Sequence, residues 1–270
     1  MDLSDGRPSY TIAQISDLHC GDPNFQPNLL ERAIAEINDL QPKAVVCTGD
    51  LTVFGFKEEY RLARSYLDRI ECESVVVIPG NHDSRNVGYV HFENLFGDRN
   101  SVLKLDGLTV VAIDSTEPDL DNGHVGRGRY RWIEEQFAGT GDGLRVFALH
   151  HHLLPVPGTG RERNVVYDAG DALECLQRSA VDLVLSGHKH VPYAWRLENL
   201  FVVNAGTVST LRLRGETRPC YNLIEVTGAH VDVWRKYPFH GQEKIIQFST
   251  DTRAFEKYTA RIEGEVTTRS

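Results

Sequence analysis

Six short apolar runs, nearly all ending on a residue able to carry chemistry, constrain this chain more than any other feature. They are YTIAQIS, AVVCTG, SVVVIPG, LTVVAID, LRVFAL and VDLVLSG, all within the first 190 residues. Each is short and mostly rich in β-branched residues, as strands buried on both faces are. Amphipathic segments alternate with them. NLLERAIAEINDL places Leu29, Ala33, Ile34, Ile37 and Leu40 on one helical stripe, and EEYRLARSYLDRI, YRWIEEQF and DALECLQRSA read alike. Strand–helix alternation implies a layered α/β core. After residue 190 the pattern changes. LFVVNAGTVS, CYNLIEVTGAHVDVWRKY and EKIIQFST read as strands joined by tight turns, with TG marking a hairpin. Antiparallel strands from about 197 to 250 are therefore expected to complete a sheet. No repeat or linker interrupts the sequence, so one domain is expected over 1–270. The closing ARIEGEVTTRS is polar and is expected to be loosely ordered.

Ligands of open α/β sheets bind outside the carboxyl ends of the strands, so the residues just beyond each run matter most. SDLHCG supplies Asp17 and His19; TGDLT supplies Asp50; PGNHD supplies Asn81, His82 and Asp83. LRVFAL runs into three consecutive histidines, His150, His151 and His152, and SGHKH supplies His188 and His190. Any one of these motifs is commonplace: a turn, a cap or a solvated pair. Their conjunction, in order and each after a strand, points to one site. In extended chain, residues i and i+2 share a face, so Asp17/His19 and His188/His190 each present two groups together. Gly49, Gly80 and Gly187 permit close backbone approach. Three adjacent imidazoles cannot all face one point, so at most one or two of His150–His152 serve the site. Mixed carboxylate, amide and imidazole ligands suit Mn, Fe or Zn. Asp50 has no local partner, which fits a bridge between two ions.

Composition limits the partners. A formal net charge of −9 argues against a broad nucleic-acid surface. No apolar run reaches membrane-spanning length, and the polar start MDLSDGRPSY is not a signal peptide. Five dispersed cysteines without a C-x-x-C pair suit reduced thiols and a cytoplasmic location.

The set DLH…GD…GNHD…HH…GHKH, from Asp17 to His190, resembles that of the calcineurin-like metallophosphoesterase superfamily. QISDLHCG and TGDLT are most similar to its class III cyclic-nucleotide phosphodiesterase branch. The resemblance implies a four-layer αββα sandwich: two mixed β-sheets face to face with helices outside. It implies two metal ions, one held by Asp17, His19, Asp50 and His190, the other by Asp50, Asn81, His188 and one histidine of the triple. In the family that histidine stands first in H-x-P or H-H-P. Here HHHLLP replaces the short form, and alignment favours His150. His151 and His152 are then expected at the rim, touching substrate or exposed. Two ions about 3.5–4 Å apart can generate a bridging hydroxide that attacks phosphorus in line. His82 is expected to act on the leaving oxygen, with Asp83 holding its ring or merely capping a turn.

The expected activity is hydrolysis of a small phosphoester, foremost a cyclic nucleotide or another small phosphodiester. The alternatives are a phosphomonoesterase or pyrophosphatase acting on a nucleotide or nucleotide–lipid, and a non-catalytic metal-binding scaffold. Two Gly-rich basic segments are candidates for the mouth: NGHVGRGRYRW with Arg127, Arg129 and Arg131, and PVPGTGRERNVVYDAGD with Arg161 and Arg163. The tail from about residue 236 either covers a homodimer interface or closes the sheet.

Overall fold

The computed structural model describes residues 7–159 and 165–258. Arg161, Arg163 and the closing ARIEGEVTTRS segment lie outside the described residues. The elements run β1 (Ser9–Ile15), α1 (Pro27–Leu40), β2 (Ala44–Cys47), α2 (Lys57–Leu67), β3 (Val75–Val77), α3 (Gly88–Phe96), β4 (Ser101–Leu105) and β5 (Leu108–Ala112). They continue with α4 (Tyr130–Phe137), β6 (Leu144–Ala148), α5 (Ala169–Arg178), β7 (Leu183–Ser186), β8 (Tyr193–Leu197) and β9 (Leu200–Asn204). β10 (Tyr221–Thr227), β11 (His230–Lys236), β12 (Gln242–Ser249) and β13 (Phe255–Lys257) follow.

Two mixed sheets result. The first has the order β13-β12-β11-β10-β1-β2-β3 and the second β4-β5-β6-β7-β9-β8. β1, β2 and β3 run parallel, as do β5, β6, β7 and β9. β10 to β13 extend the first sheet antiparallel from β1. The turn between β10 and β11 is Gly228–Ala229, with Gly228 at φ 60°, a value that suits glycine.

Side-chain alternation along the strands builds the four layers. Ala44 and Val46 of β2 face the second sheet, while Val45 faces α1 and α2. Likewise Val110, Val146 and Leu183 face inward, and Val111, Phe147 and Val184 pack under α4 and α5. Three apolar layers thus separate helices, sheet, sheet and helices, the αββα sandwich that the resemblance implies. All six apolar runs and all four amphipathic segments lie in the expected elements. α3, β4, β8 and β13 have no counterpart in the sequence reading. β9 departs from expectation: it runs parallel to β7 in the second sheet, because the β8–β9 hairpin returns the chain to the direction of β7.

A polar contact between the sheets, oriented by a neighbour within the first sheet, lies just below the strand ends. The Gln14 amide donates to the Ser186 carbonyl at 3.0 Å, and the Asn222 amide donates to Gln14 at 2.9 Å. No described helix is long and apolar enough to cross a membrane.

Candidate metal centre

The loops beyond β1, β2 and β7 curl tightly and lace together. The Asp17 amide donates to the Gly49 carbonyl and the His19 amide to the Asp50 carbonyl, both at 2.9 Å. The His188 amide donates to the Asp17 carboxylate at 3.1 Å. Asp17, His19, Asp50, His188 and His190 all have left-handed backbones, with φ between 49° and 84°. Such strain collects where surrounding structure holds a functional side chain in place. This corrects the extended-chain picture of the two i, i+2 pairs. Asp17 and His19 still converge, but His188 and His190 face different clusters. Gly80 and Gly187 are required by contact: a Cβ on Gly80 would strike the Asp50 carboxylate, and one on Gly187 would strike Ser16 and Asp17.

Three overlapping groups bring ligand atoms within 4.8 Å of one another: Asp17–His19–His190, His19–Asp50–His82 and Asp50–His150–His188. Asp50 is shared. Its Oδ2 lies 3.6 Å from His19 Nε2 and 3.4 Å from His150 Nε2. Asn81 joins the Asp50–His150–His188 group, its Oδ1 2.9 Å from His188 Nδ1 and 3.1 Å from His150 Nε2.

Backbone carbonyls fix how the imidazoles present themselves. The Nδ1 atoms of His19, His150 and His190 lie 3.2, 2.7 and 2.6 Å from the carbonyls of Thr52, Thr48 and Arg212. A carbonyl only accepts, so each Nδ1 carries the hydrogen and a neutral ring turns its Nε2 lone pair inward. His19 Nε2 and His190 Nε2 stand 2.8 Å apart, with Asp17 Oδ1 3.4 Å from the latter. His150 Nε2 meets Asn81 Oδ1 and Asp50 Oδ2, again acceptor against acceptor. Two buried sets of converging lone pairs each call for a positive charge between them. Two divalent ions fit this donor set, and protons are the substitute.

The electrostatics agree. Burial would raise Asp17 and Asp50, but the neighbouring imidazoles hold Asp17 below and Asp50 well below the usual carboxylate range. Burial opposes a charge on His150, yet the Asp50 carboxylate pushes its pKa up to about 9. Burial also opposes a charge on His190, and Asp17 raises it, whereas burial lowers His19 to about 4. Each cluster therefore contains one imidazole disposed to take the cation's place.

Several sequence expectations need correction. Asp83 does not reach the His82 ring. Its carboxylate accepts from the amides of Leu51, Thr52 and Gly80 and from the Thr52 hydroxyl at 2.7–3.0 Å, binding the Asp50 loop to the Asn81 loop. The His82 Nδ1 is held instead by the Val53 carbonyl at 2.7 Å. His151 and His152 are not at the rim: both are wholly buried. His151 Nδ1 meets the Ser115 hydroxyl at 2.8 Å, and His152 Nε2 donates to the Gly187 carbonyl at 2.8 Å. The chain sinks as it leaves β6, leaving only His150 in the cluster. Arg127 pairs with Asp171 and Arg131 with Glu135, while Arg129 bonds the Asp114 carbonyl. None of the three lines the cavity above the clusters.

That cavity, about 370 Å³, is framed by Arg85, Asp121, Lys189, Arg212 and Arg214, which sequence reasoning missed. Asp121 accepts from the Asn81 amide at 3.1 Å and from Arg85 at 2.8 Å. The first bond fixes the amide nitrogen outward, so Asn81 Oδ1 must face His150 and His188. LRLRG follows the end of β9 at the same edge as the other motifs, and that position was the available signal.

A sandwich with two ion-demanding clusters on its strand ends belongs to the class of metal-binding α/β folds. The chain belongs to the calcineurin-like phosphoesterase family, whose profile matches residues 10–192. It is 26% identical over 203 residues to a cAMP/cGMP dual specificity phosphodiesterase of Mycobacterium tuberculosis, covering 68% of this chain and 63% of that protein. It is 26% identical over 203 residues to a glycerophosphodiester phosphodiesterase of Enterobacter lignolyticus, covering 70% and 72%. In fold it is similar to a dimetal phosphatase from Danio rerio, with a TM-score of 0.69 at 11% identity over 88% of this chain and 98% of that one.

Proposed function

We propose that the protein is a phosphodiesterase that hydrolyses small phosphodiesters, cyclic nucleotides among them, at a two-ion centre of Mn, Fe or Zn. The observation that carries this reading is the Asp50 carboxylate, one oxygen of which faces both lone-pair clusters. The printed activities of the two relatives, on cyclic nucleotides and on glycerophosphodiesters, support a diester.

Asp17, His19, Asp50 and His190 would hold one ion, and Asp50, Asn81, His150 and His188 the other. When bound, the pair supplies Lewis acidity toward phosphoryl oxygens and makes water nucleophilic near neutral pH. The Thr52, Thr48 and Arg212 carbonyls keep the ligand rings in one tautomer and orientation. His82 lines the open cavity, with Nδ1 tied to Val53 and Nε2 left to exchange a proton. Protonated, its Nε2–H would donate to the leaving oxygen. Arg85, which lines the same cavity, would offset charge that develops on the phosphoryl group.

The test compares bis(p-nitrophenyl) phosphate with p-nitrophenyl phosphate on Mn²⁺-reloaded protein. Turnover of the diester, lost in Asp50→Ala, is expected. Turnover of the monoester alone would replace the reading with a phosphatase.

A further inference from the structure

We propose that Lys189, Arg212 and Arg214 form an anion subsite beside the metal centre. The preferred substrate then carries a second anionic group, a phosphate or a carboxylate, on the arm of its scissile phosphodiester. This rests on the hydrolase reading above.

Three observations converge on it. The first is charge. Among the described residues, Arg85, Lys189, Arg212 and Arg214 line the cavity, against one lining carboxylate, Asp121. Asp121 is already engaged by Arg85 and the Asn81 amide. Among the described residues no carboxylate lies within ion-pair distance of Lys189 or Arg214. Arg212 reaches Asp22 only at 3.9 Å with a half-exposed side chain, and Asp22 is itself taken up by Asn24. Asp121, Asp50 and Asp17 offset part of the charge of Lys189, and Asp22 part of that of Arg212, from a distance rather than as close partners.

The second is placement. The segment bearing Arg212 and Arg214 is built onto the centre. The Arg212 carbonyl accepts from the His190 ring, and the Thr210 amide is held by Thr207, whose hydroxyl donates to the Asp17 carbonyl at 2.7 Å. Lys189 sits between His188 and His190. The spacing from scissile phosphorus to subsite is thereby fixed by the ligand loops.

The third is the lining. Apart from imidazoles, the described residues bring no aromatic side chain to the cavity, and Leu213 is their one aliphatic contact there. Such walls offer a flat apolar group little, and reward a charged arm.

The test uses matched 4-nitrophenyl phosphodiesters whose second arm is propyl, 2-carboxyethyl or 3-phosphonooxypropyl. At low ionic strength, kcat/KM on the Mn²⁺-loaded protein is expected to favour an anionic arm by about tenfold, and the preference to shrink as salt is added. The carboxylate and phosphate arms tell which group fits. Arg214→Gln, an exposed position, should bring the ratio toward one. Calorimetry on metal-free protein reads the subsite without turnover: the anionic arms should bind several-fold tighter than propyl, and Arg214→Gln should remove the difference. Equal kcat/KM and equal binding for all three arms overturn the subsite and leave the hydrolase standing. No turnover of any ester, with the binding preference intact, overturns the hydrolase and keeps the subsite.

Discussion

A cavity larger than the one above the candidate metal centre lies elsewhere in the molecule. A cleft of about 650 Å³ opens between the edge strands β3 and β4, against about 370 Å³ above the metal clusters. The cleft is lined by Leu67, Ile70, Val75, Val77 and Phe96, and among its polar groups Arg64 pairs with Asp68 one helical turn away and the Cys72 thiol bonds the Pro42 carbonyl. Within the clusters the ring nitrogens and carboxylate oxygens are unsatisfied by one another, acceptor facing acceptor. The lesson is that volume does not locate a site, whereas buried lone pairs without a shared proton do.

The sharpest way to break this contrast is Asp50→Ala. It removes the oxygen common to both clusters, and a loss of about 10³-fold or more in kcat/KM is expected. Elemental analysis should show at least one ion gone per chain; full occupancy with near-normal turnover would end the shared-ligand account. His82→Ala should slow turnover by about 10²–10⁴-fold while leaving metal content intact. A site emptied of metal would make His82 a ligand, as its grouping with His19 and Asp50 allows. Asp121→Ala frees the Asn81 amide to turn over, and metal affinity should weaken by about 10–100-fold. Asp121→Asn keeps an acceptor and should recover most of that affinity; if it does not, the charge of Asp121 matters rather than its bond. The smallest effect belongs to the cleft. Cys72→Ser should leave kcat/KM within about twofold, as surface changes away from a site do, and a larger loss would give the cleft a role.

Much of the fold was legible because its strands are buried on both faces and read as unbroken apolar runs. The elements missed are those without such a signature. β4 is half-exposed throughout, β8 is an edge strand of mixed burial, and α3 has only Gly88 and Phe92 buried. The residues of the candidate site were legible because they stand directly beyond strands in a layered sheet. What lay beyond reach was anything that depends on how loops fold back. Asp83 follows His82 in the chain, yet it points to the Asp50 loop. Asp121 lies 40 residues from Asn81 and bonds it. Arg127, Arg129 and Arg131 drew attention because Gly-rich basic loops resemble one another until the partners of their arginines are placed.

The arrangement of strands also sets an order in time. All strands of the second sheet come from one unbroken stretch, Ser101 to Asn204, and are available once that stretch has left the ribosome. The first sheet is interrupted: β1 must wait for its antiparallel neighbour β10, with Ser9 paired to Thr227. Pairings so distant in sequence close slowly. Until Tyr221–Thr227 has been made, β1 is an edge strand, and the loop carrying Asp17 and His19 hangs from that edge. The first-made part of the chain is thus among the last to find its neighbours, and a nascent chain released early would carry half a metal centre on an open sheet edge.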